Sequence, residues 1–238
     1  MIQKKNNKVL AIILARTGSS RLKNKLFLKI KKKNMLQIFY ERLKKSKLID
    51  KIIIATTDRN EDDKIFKFAK KKKILCYRGS HSNVLKRFVD AYKFSKFKYD
   101  LIVRANADNT LLMTTILDKE IQLMKNSNYS LSTPFDKNYC PFGFSLVIFR
   151  SNALFKIYNN AKKKKYLEHI ENYCFDHEKK FKILRPIHNK KLYCPKLKLS
   201  LDTIDDYKII KYFYLKIIKV KFDMQPNFAV KIFKEINK

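Results

Sequence analysis

The sequence predicts an α/β fold, a mostly parallel sheet with helices on both faces. Three observations carry that expectation. Apolar runs of strand length recur at 8–16, 51–57, 74–79 and 99–108. Segments with helical spacing of apolar residues separate them, the pattern of βαβ units with right-handed crossovers. Each run ends in a polar turn, "ARTGSSR", "TTD", "RGSHS" and "RANADN". Ligands of such sheets sit beyond the carboxyl ends of the strands, so these turns are the site candidates.

The elements follow in order. "KVLAIILAR" (8–16) is a continuous apolar run, as expected of a strand covered on both faces. "NMLQIFYERLKKS" places Leu36, Phe39, Tyr40 and Leu43 at helical spacing. "KIIIATT" (51–57) is a second buried strand, and "DRNEDDKIFKFAKKK" a helix opened by acidic residues that suit its N-terminal dipole. "ILCYRG" (74–79) is a third strand. "NVLKRFVDAYKF" is a helix with Val84, Phe88, Ala91 and Tyr92 on one face, and "YDLIVRANAD" (99–108) a fourth strand. The alternation holds to about residue 126 and then loosens. "YSLSTP" and "FSLVIFR" read as strands, and "YLEHIENYCFDHEKK" as a helix. "KLKLSLDTIDDYKIIKYFYLKII" reads as a strand, a capping box of Thr203 and Asp206, and a helix with Ile210, Phe213, Tyr214 and Ile217 inward. "NFAVKIFKEI" closes the chain as an amphipathic helix. There is no Pro/Gly-rich linker and no internal repeat. The reading is one domain, 1–238, with an inserted subregion at about 130–195.

A chain of 238 residues buries enough surface to fold without a disulfide or metal staple. The formal charge of +34 raises nucleic-acid binding, but the excess is lysine spread over the whole length, alongside abundant Asn, Ile, Phe and Tyr. That is the bias of an AT-rich coding sequence, and runs such as Lys31–Lys33, Lys70–Lys73 and Lys162–Lys165 suit solvated helix ends and loops. No specific nucleic-acid partner is expected. Cys76, Cys140, Cys174 and Cys194 are scattered without a CxxC, and no signal peptide is read at the start. Reduced thiols in the cytoplasm are therefore expected. No apolar segment approaches the roughly 18 residues of a membrane span.

Residues 13–26, "ILARTGSSRLKNKL", hold one of the three glycines and two of the nine arginines. Glycine and small hydroxyl residues after a buried strand let backbone N–H groups form an anion nest. Arg16 and Arg21 offer forked donors to phosphate and Lys25 a point charge. Pattern alone leaves a plain turn at Gly18 as open as a phosphate cradle. Where coding bias favours lysine, an arginine suggests a need for planar donors, and Arg16, Arg21, Arg78 and Arg104 fall in or beside post-strand turns. Asp108 and Asp202 each follow a predicted strand and could converge on a hard cation such as Mg²⁺. Taken alone, Asp202 is better read as a carboxylate at a helix N-terminus.

"ARTGSSRLKNK" resembles the signature ARxGSxRLPGK of cytidylyltransferases that activate acidic sugars. These are the synthetases of CMP-Kdo and CMP-sialic-acid-like compounds, and especially the group of the spore-coat polysaccharide SpsF proteins. The likeness continues, in the family's order, through "IDKIIIATTDRNEDDKI", "RGSHSNVLKRFVDAY", "LIVRANADNTLL", "PFGFSLVIFRSNAL", "LEHIENY" and "LSLDTIDDYKIIK". It implies a nucleotide-diphosphosugar transferase fold, GT-A-like and Rossmann-like. It implies a CTP site whose catalytic cations are Arg16, Arg21 and Lys25, with Leu14, Ala15, Gly18, Ser19 and Ser20 from the same loop. Thr56 joins from the second strand, Arg78, Ser80, Asn83 and Val84 from around the third turn, and Arg104 and Ala107 from the fourth strand and its turn. Mg²⁺ falls to Asp108 and Asp202, and an anionic acceptor to Asn106, Gly143, Glu168 and His169. The implied protein is a homodimer that transfers CMP and releases pyrophosphate.

Three departures stand out. The usual Pro-Gly is Lys23-Asn24, the SpsF-like "DDVL" is "SNVL" at 82–85, and Leu146-Val147 stand where an acid is common. The triphosphate end is thus better kept than the acceptor end. His81, His177 and His188 suggest no specific role, and the cysteines read as packing residues. Two rivals remain: a GT-A glycosyltransferase, for which "DNT" at 108–110 is a poor metal motif, and a non-catalytic basic binding protein.

Overall fold

The computed structural model describes residues 7–134, 143–186, 197–220 and 226–236. Cys140, Cys194, His188 and parts of the 130–195 subregion lie outside the described residues. In chain order the strands are β1 (Val9–Leu14), β2 (Lys29–Ile30), β3 (Lys33–Asn34), β4 (Lys51–Thr57), β5 (Leu75–Gly79), β6 (Leu101–Asn106), β7 (Leu131–Ser132), β8 (Val147–Arg150) and β9 (Ile183–Leu184). The helices of the first half are α1 (Met35–Leu43), α2 (Asp63–Lys71), α3 (Val84–Phe94) and α4 (Thr114–Lys125). Those of the second are α5 (Ser151–Asn160), α6 (Lys164–Glu168), α7 (Glu171–Phe175), α8 (Ile204–Val220) and α9 (Pro226–Ile236).

The seven-stranded sheet runs β5-β4-β1-β6-β8-β7-β9, while β2 and β3 form a separate hairpin. β1, β4, β5 and β6 are parallel, and β8 is antiparallel to both β6 and β7. β1 is buried along its whole length because it is covered on both faces. Leu10, Ile12 and Leu14 pack with α3, α5 and the α6–α7 segment, whereas Val9, Ala11 and Ile13 pack with α1, α2 and α4. That is the two-faced burial of a strand in a doubly covered sheet. A third cluster joins Phe213, Ile210 and Ile217 of α8 to Ile30, Met35 and Phe144 at one end of the sheet.

Two sequence expectations need correction. The helix expected over "YLEHIENYCFDHEKK" breaks at His169-Ile170 into α6 and α7 and ends in a 3₁₀ turn, Glu178–Lys180. Its periodicity is right, since Tyr166, Ile170, Tyr173 and Cys174 all bury into the core, and the ion pairs described below add to that packing. Among the described residues, the strand expected before residue 202 adds none to the seven-stranded sheet: it shows a single bridge at Lys198, and Leu197, Leu199 and Leu201 bury into the third cluster. The capping box does form. Asp206 N–H donates to Thr203 Oγ1 at 3.2 Å, and Thr203 N–H donates to Asp206 Oδ2 at 2.8 Å. Burial raises the thiol of Cys76 to about 11 and that of Cys174 to about 12, as befits packing residues.

Candidate active site

The chain winds β1, β4, β5 in one direction and then returns to lay β6 on the other side of β1. The crevice at that reversal, beyond the carboxyl ends of β1 and β6, is where a ligand fits such a sheet. A cleft of about 330 Å³ opens there, within the range of small-molecule sites. The loop after β1 forms one wall. It is tied down by Asp62, which is fully buried and accepts Thr17 N–H at 2.6 Å and Thr17 Oγ1–H at 2.7 Å. Thr57 Oγ1, at the end of β4, also donates to Asp62. One carboxylate thus staples the loop to the end of the neighbouring strand. The same loop turns through Asn24, whose φ of 54° is left-handed. Asn tolerates that region better than most residues, so Lys23-Asn24 keeps the turn that Pro-Gly would make.

The floor of the cleft holds a compact charged group. Lys25 is buried, and its ammonium donates to Asp108 Oδ2 at 3.1 Å, Asp202 Oδ1 at 3.1 Å and the Leu201 carbonyl at 2.6 Å. Asp108 comes from the turn after β6. Asp202 is brought to it because Leu201 N–H donates to the Asp108 carbonyl at 2.9 Å. Arg21 Nη2 donates to Asp202 Oδ1 at 2.8 Å, and Lys198 Nζ lies 2.9 Å from Asp202 Oδ2. Burial alone would raise the Asp202 carboxyl, but Lys198 and Lys25 outweigh it and hold the group below the usual carboxylate range. Among the described residues no three His, Cys, Asp or Glu side chains converge as a metal cage. Two carboxylates and a carbonyl around one cation are nonetheless hard oxygen donors, and a site that leaves room for phosphate oxygens suits a divalent ion of the Mg²⁺ type.

The far wall comes from the break between α6 and α7. Arg104 Nη1 donates to both carboxylate oxygens of Glu171, at 3.2 and 3.0 Å, and Nη2 to the Glu168 carbonyl at 3.2 Å. This pair is buried, with side chains 6% and 7% exposed. Arg16 Nη2 reaches Glu168 Oε1 across the cleft at 3.5 Å. His169 lines both the main cleft and an adjoining depression walled by Asn109, Asn172 and Phe175.

Residues 10–225 match the cytidylyltransferase family. The chain belongs to that family.

It is therefore a nucleotidyltransferase of the cytidylyltransferase class, on an α/β fold with a mostly parallel sheet. An uncharacterized protein of Methanocaldococcus jannaschii is 40% identical over 203 residues, 85% of this chain and 81% of that one. The spore coat polysaccharide biosynthesis protein SpsF of Bacillus subtilis is 29% identical over 217 residues, 88% of each chain. The solved structure of a cytidylyltransferase from Leptospira borgpetersenii superposes with a TM-score of 0.84 at 30% identity, covering 97% of this chain and 94% of that one. No helix of the described residues is long and apolar enough to cross a membrane.

Most of the residues expected of a cytidylyltransferase meet in the cleft. Leu14, Ala15, Arg16, Gly18, Ser19, Ser20, Arg21 and Lys25 line it from the first loop. Val84, Arg104, Asn106, Ala107, Asp108, Glu168, His169 and Asp202 complete it. Five expected residues do not line it. Thr56 is buried within β4. Arg78 turns to Asp63 at 2.6 Å and to the Thr57 and Arg59 carbonyls. The Ser80 hydroxyl accepts from Asn83 N–H, and the Asn83 side chain caps α3 by accepting from Lys86 N–H at 2.8 Å. Gly143, with φ +97°, lies against the 199–200 backbone, where a Cβ would come within 2.8 Å of the Leu199 carbonyl carbon. The anion nest is also narrower than expected, since Ser19 N–H is spent on the Thr17 carbonyl at 2.8 Å.

Four residues escaped the sequence reading: Asp62, Arg87, Glu171 and Lys198. Arg87 is buried on the cleft wall, donates from Nη1 to the Ser80 and His81 carbonyls, and leaves Nε without a partner. Burial lowers its guanidinium to about 10, with Arg16 adding to the effect. His81 is lowered too, by burial and by Arg59, Arg16 and Arg87. Arg87 was findable as an arginine in a lysine-rich chain, three residues after the helix start. Asp62 carried a weaker signal, because an acid at a helix start already has a reading.

Proposed function

We propose that this cytidylyltransferase transfers CMP from CTP to an anionic acceptor, a sugar acid or small phosphorylated metabolite, and releases pyrophosphate for a surface polysaccharide. The observation that carries the reading is the convergence of Lys25, Arg21, Asp108 and Asp202 at the reversal point of the sheet, in a chain of this family. An acceptor oxygen attacks the α-phosphorus, the new P–O bond forms, and the bond to the bridging oxygen of the leaving pyrophosphate breaks. Arg16, Arg21 and Lys25 hold the triphosphate and offset its charge. Asp62 keeps the Thr17 turn in place so that these cations face one ligand. Mg²⁺ held by Asp108 and Asp202 would supply further neutralisation of charge on the phosphate oxygens.

The acceptor end takes its polarity from Asn106, Asn109, Asn172 and His169, with Phe175 as an apolar wall. Such a mixture suits a hydroxyl-rich ring, and the name of the SpsF relative supports a saccharide product. The working state in this reading is a cytoplasmic homodimer with the 130–195 subregion at its interface. The deciding experiment is pyrophosphate release from each of the four NTPs with Mg²⁺ across a panel of sugar acids and sugar phosphates. CTP alone should support turnover, and only with some of the acceptors. Equal turnover with all four nucleotides would remove the cytidine preference, and light scattering on the same sample reads the oligomeric state.

A further inference from the structure

The ammonium of Lys25 sits at the one point that Asp108, Asp202 and the Leu201 carbonyl share. We infer that Lys25 is a resident cation of the metal site, and that the divalent ion enters together with the nucleotide that draws Lys25 away. The inference rests on the proposed use of CTP and adds an order of events to it.

An ammonium has three donors. Here three acceptors take them, at 2.6 to 3.1 Å, in a pocket where the Lys25 side chain is 11% exposed. In this arrangement Lys25 has no donor left for a phosphate. The same three oxygens cannot serve an ammonium and a divalent ion at once. Lys25 therefore either closes the metal site or serves the triphosphate.

Charge decides when it moves. A free divalent ion that displaced Lys25 would push an ammonium into a cleft already holding Arg16, Arg21, Arg87 and Arg104. The two glutamates of its far wall already face arginines, Glu171 in a buried pair with Arg104 and Glu168 in a more exposed pair with Arg16. A free triphosphate that drew Lys25 away would leave Asp108 without its ammonium. Arriving together, the phosphates receive Lys25 and the metal replaces it between the carboxylates. Each charge then keeps an opposite partner. Metal and nucleotide are thereby coupled, and by linkage each raises the affinity of the other by the same factor, typically about 5- to 150-fold.

The test needs no turnover. Mn²⁺ is titrated into the full-length, nucleotide-free chain, and unbound Mn²⁺ is read by electron paramagnetic resonance. Wild type should bind Mn²⁺ weakly. Lys25→Met, which removes the ammonium, should bind one Mn²⁺ at least about tenfold more tightly, the lower part of the coupling range. Adding Asp202→Asn to Lys25→Met should abolish the gain. Lys25→Gln gives the same comparison if Lys25→Met loses its cooperative melt. No gain in either variant, or a gain that survives Asp202→Asn, overturns the inference. Pyrophosphate release is read separately: a wild type that uses CTP while Lys25→Met gains nothing sinks only this inference. A wild type that uses no nucleotide while Lys25→Met gains Mn²⁺ affinity leaves the resident cation standing and removes the nucleotide's part in displacing it.

Discussion

The two ends of the cleft are built by different means. The phosphate end hangs from the carboxyl ends of β1 and β6, and Asp62 staples its loop through buried hydrogen bonds. The acceptor end hangs from a broken helix that buries Tyr166, Ile170, Tyr173 and Cys174 in the core. It is tied to β6 by the buried pair of Arg104 and Glu171, and only loosely to the first loop by the exposed pair of Arg16 and Glu168. Where topology alone delivers a residue, the site is robust to the loss of one contact. Where a buried ion pair orients it, one substitution should loosen that wall although its apolar packing remains.

The largest effect follows from that contrast. Glu171→Gln leaves the Arg104 guanidinium buried without a counter-charge, and breaking such a pair costs about 3–5 kcal/mol. Glu168→Gln removes a partner in a pair whose side chains are 42% and 50% exposed, and should cost no more than about 1 kcal/mol. Urea unfolding of the two variants measures the difference. Equal losses would mean that the α6–α7 wall is not held by Arg104, and the contrast between the two ends would fall.

The same contrast explains what could be read before the structure. The alternation of strand and helix, and the post-strand turns as site candidates, follow from apolar runs of strand length and the 3.6 period between them. The reversal at β6 comes only from the strand order of the folded sheet. Arg16, Arg21, Lys25 and Asp108 were legible because they stand just after buried runs. Glu171 was not legible. It sits in "EHIENY" as an ordinary acid on a helix, and only the break at His169-Ile170 turns it toward Arg104. Arg78 misled for the opposite reason: it follows a strand, but Asp63 on the neighbouring helix draws it away from the cleft. Gly143 misled because its backbone, at φ +97° and pressed on Leu199, needs glycine for packing.

Next in size is the effect of the carboxylates at the phosphate end. Asp108→Asn and Asp202→Asn should each lower kcat/KM for CTP by about 10²–10³, the loss seen when one charge-stabilising group is removed from an active site, while keeping a cooperative melt. Pyrophosphate release with the active acceptor reads it. Acid stability gives a second measure. The Asp202 carboxyl is held low in the folded chain, so its stabilisation is present above the unfolded carboxylate pKa and is lost as pH falls through the lower folded value. Asp202→Asn should therefore lose less stability on acidification than wild type. If both proteins soften alike, Lys198 and Lys25 are not holding that charge.

A smaller effect separates shape from charge. Arg21→Lys keeps the cation but loses the fork. If Arg21 grips the triphosphate through two donors, kcat/KM for CTP should fall roughly ten- to a hundredfold, the worth of one hydrogen bond to a charged group. The Arg21 side chain is 64% exposed, so its replacement should leave the melting temperature nearly unchanged. A fall in stability with normal turnover would recast Arg21 as a support for Asp202.

The smallest effect tests whether the background of lysines shares in the work. Lys31 and Lys32 lie in the β2–β3 turn, where Lys31 adopts φ 53° and both side chains are open to solvent. Lys33 is left out of the test because it is paired to Glu41 at 2.6 Å. A solvated charge is muted beyond about 8 Å at physiological salt, whereas Lys25 and Arg21 line the cleft itself. Replacing Lys31 and Lys32 by Gln should therefore change CTP affinity by less than about twofold, and lowering the salt should enlarge even that small change. Isothermal titration of CTP at two salt concentrations measures both. If the double Gln variant binds CTP tenfold more weakly while Arg21→Lys is silent, the diffuse charge of +34 binds the nucleotide, and the directed cations after β1 lose their place in the account.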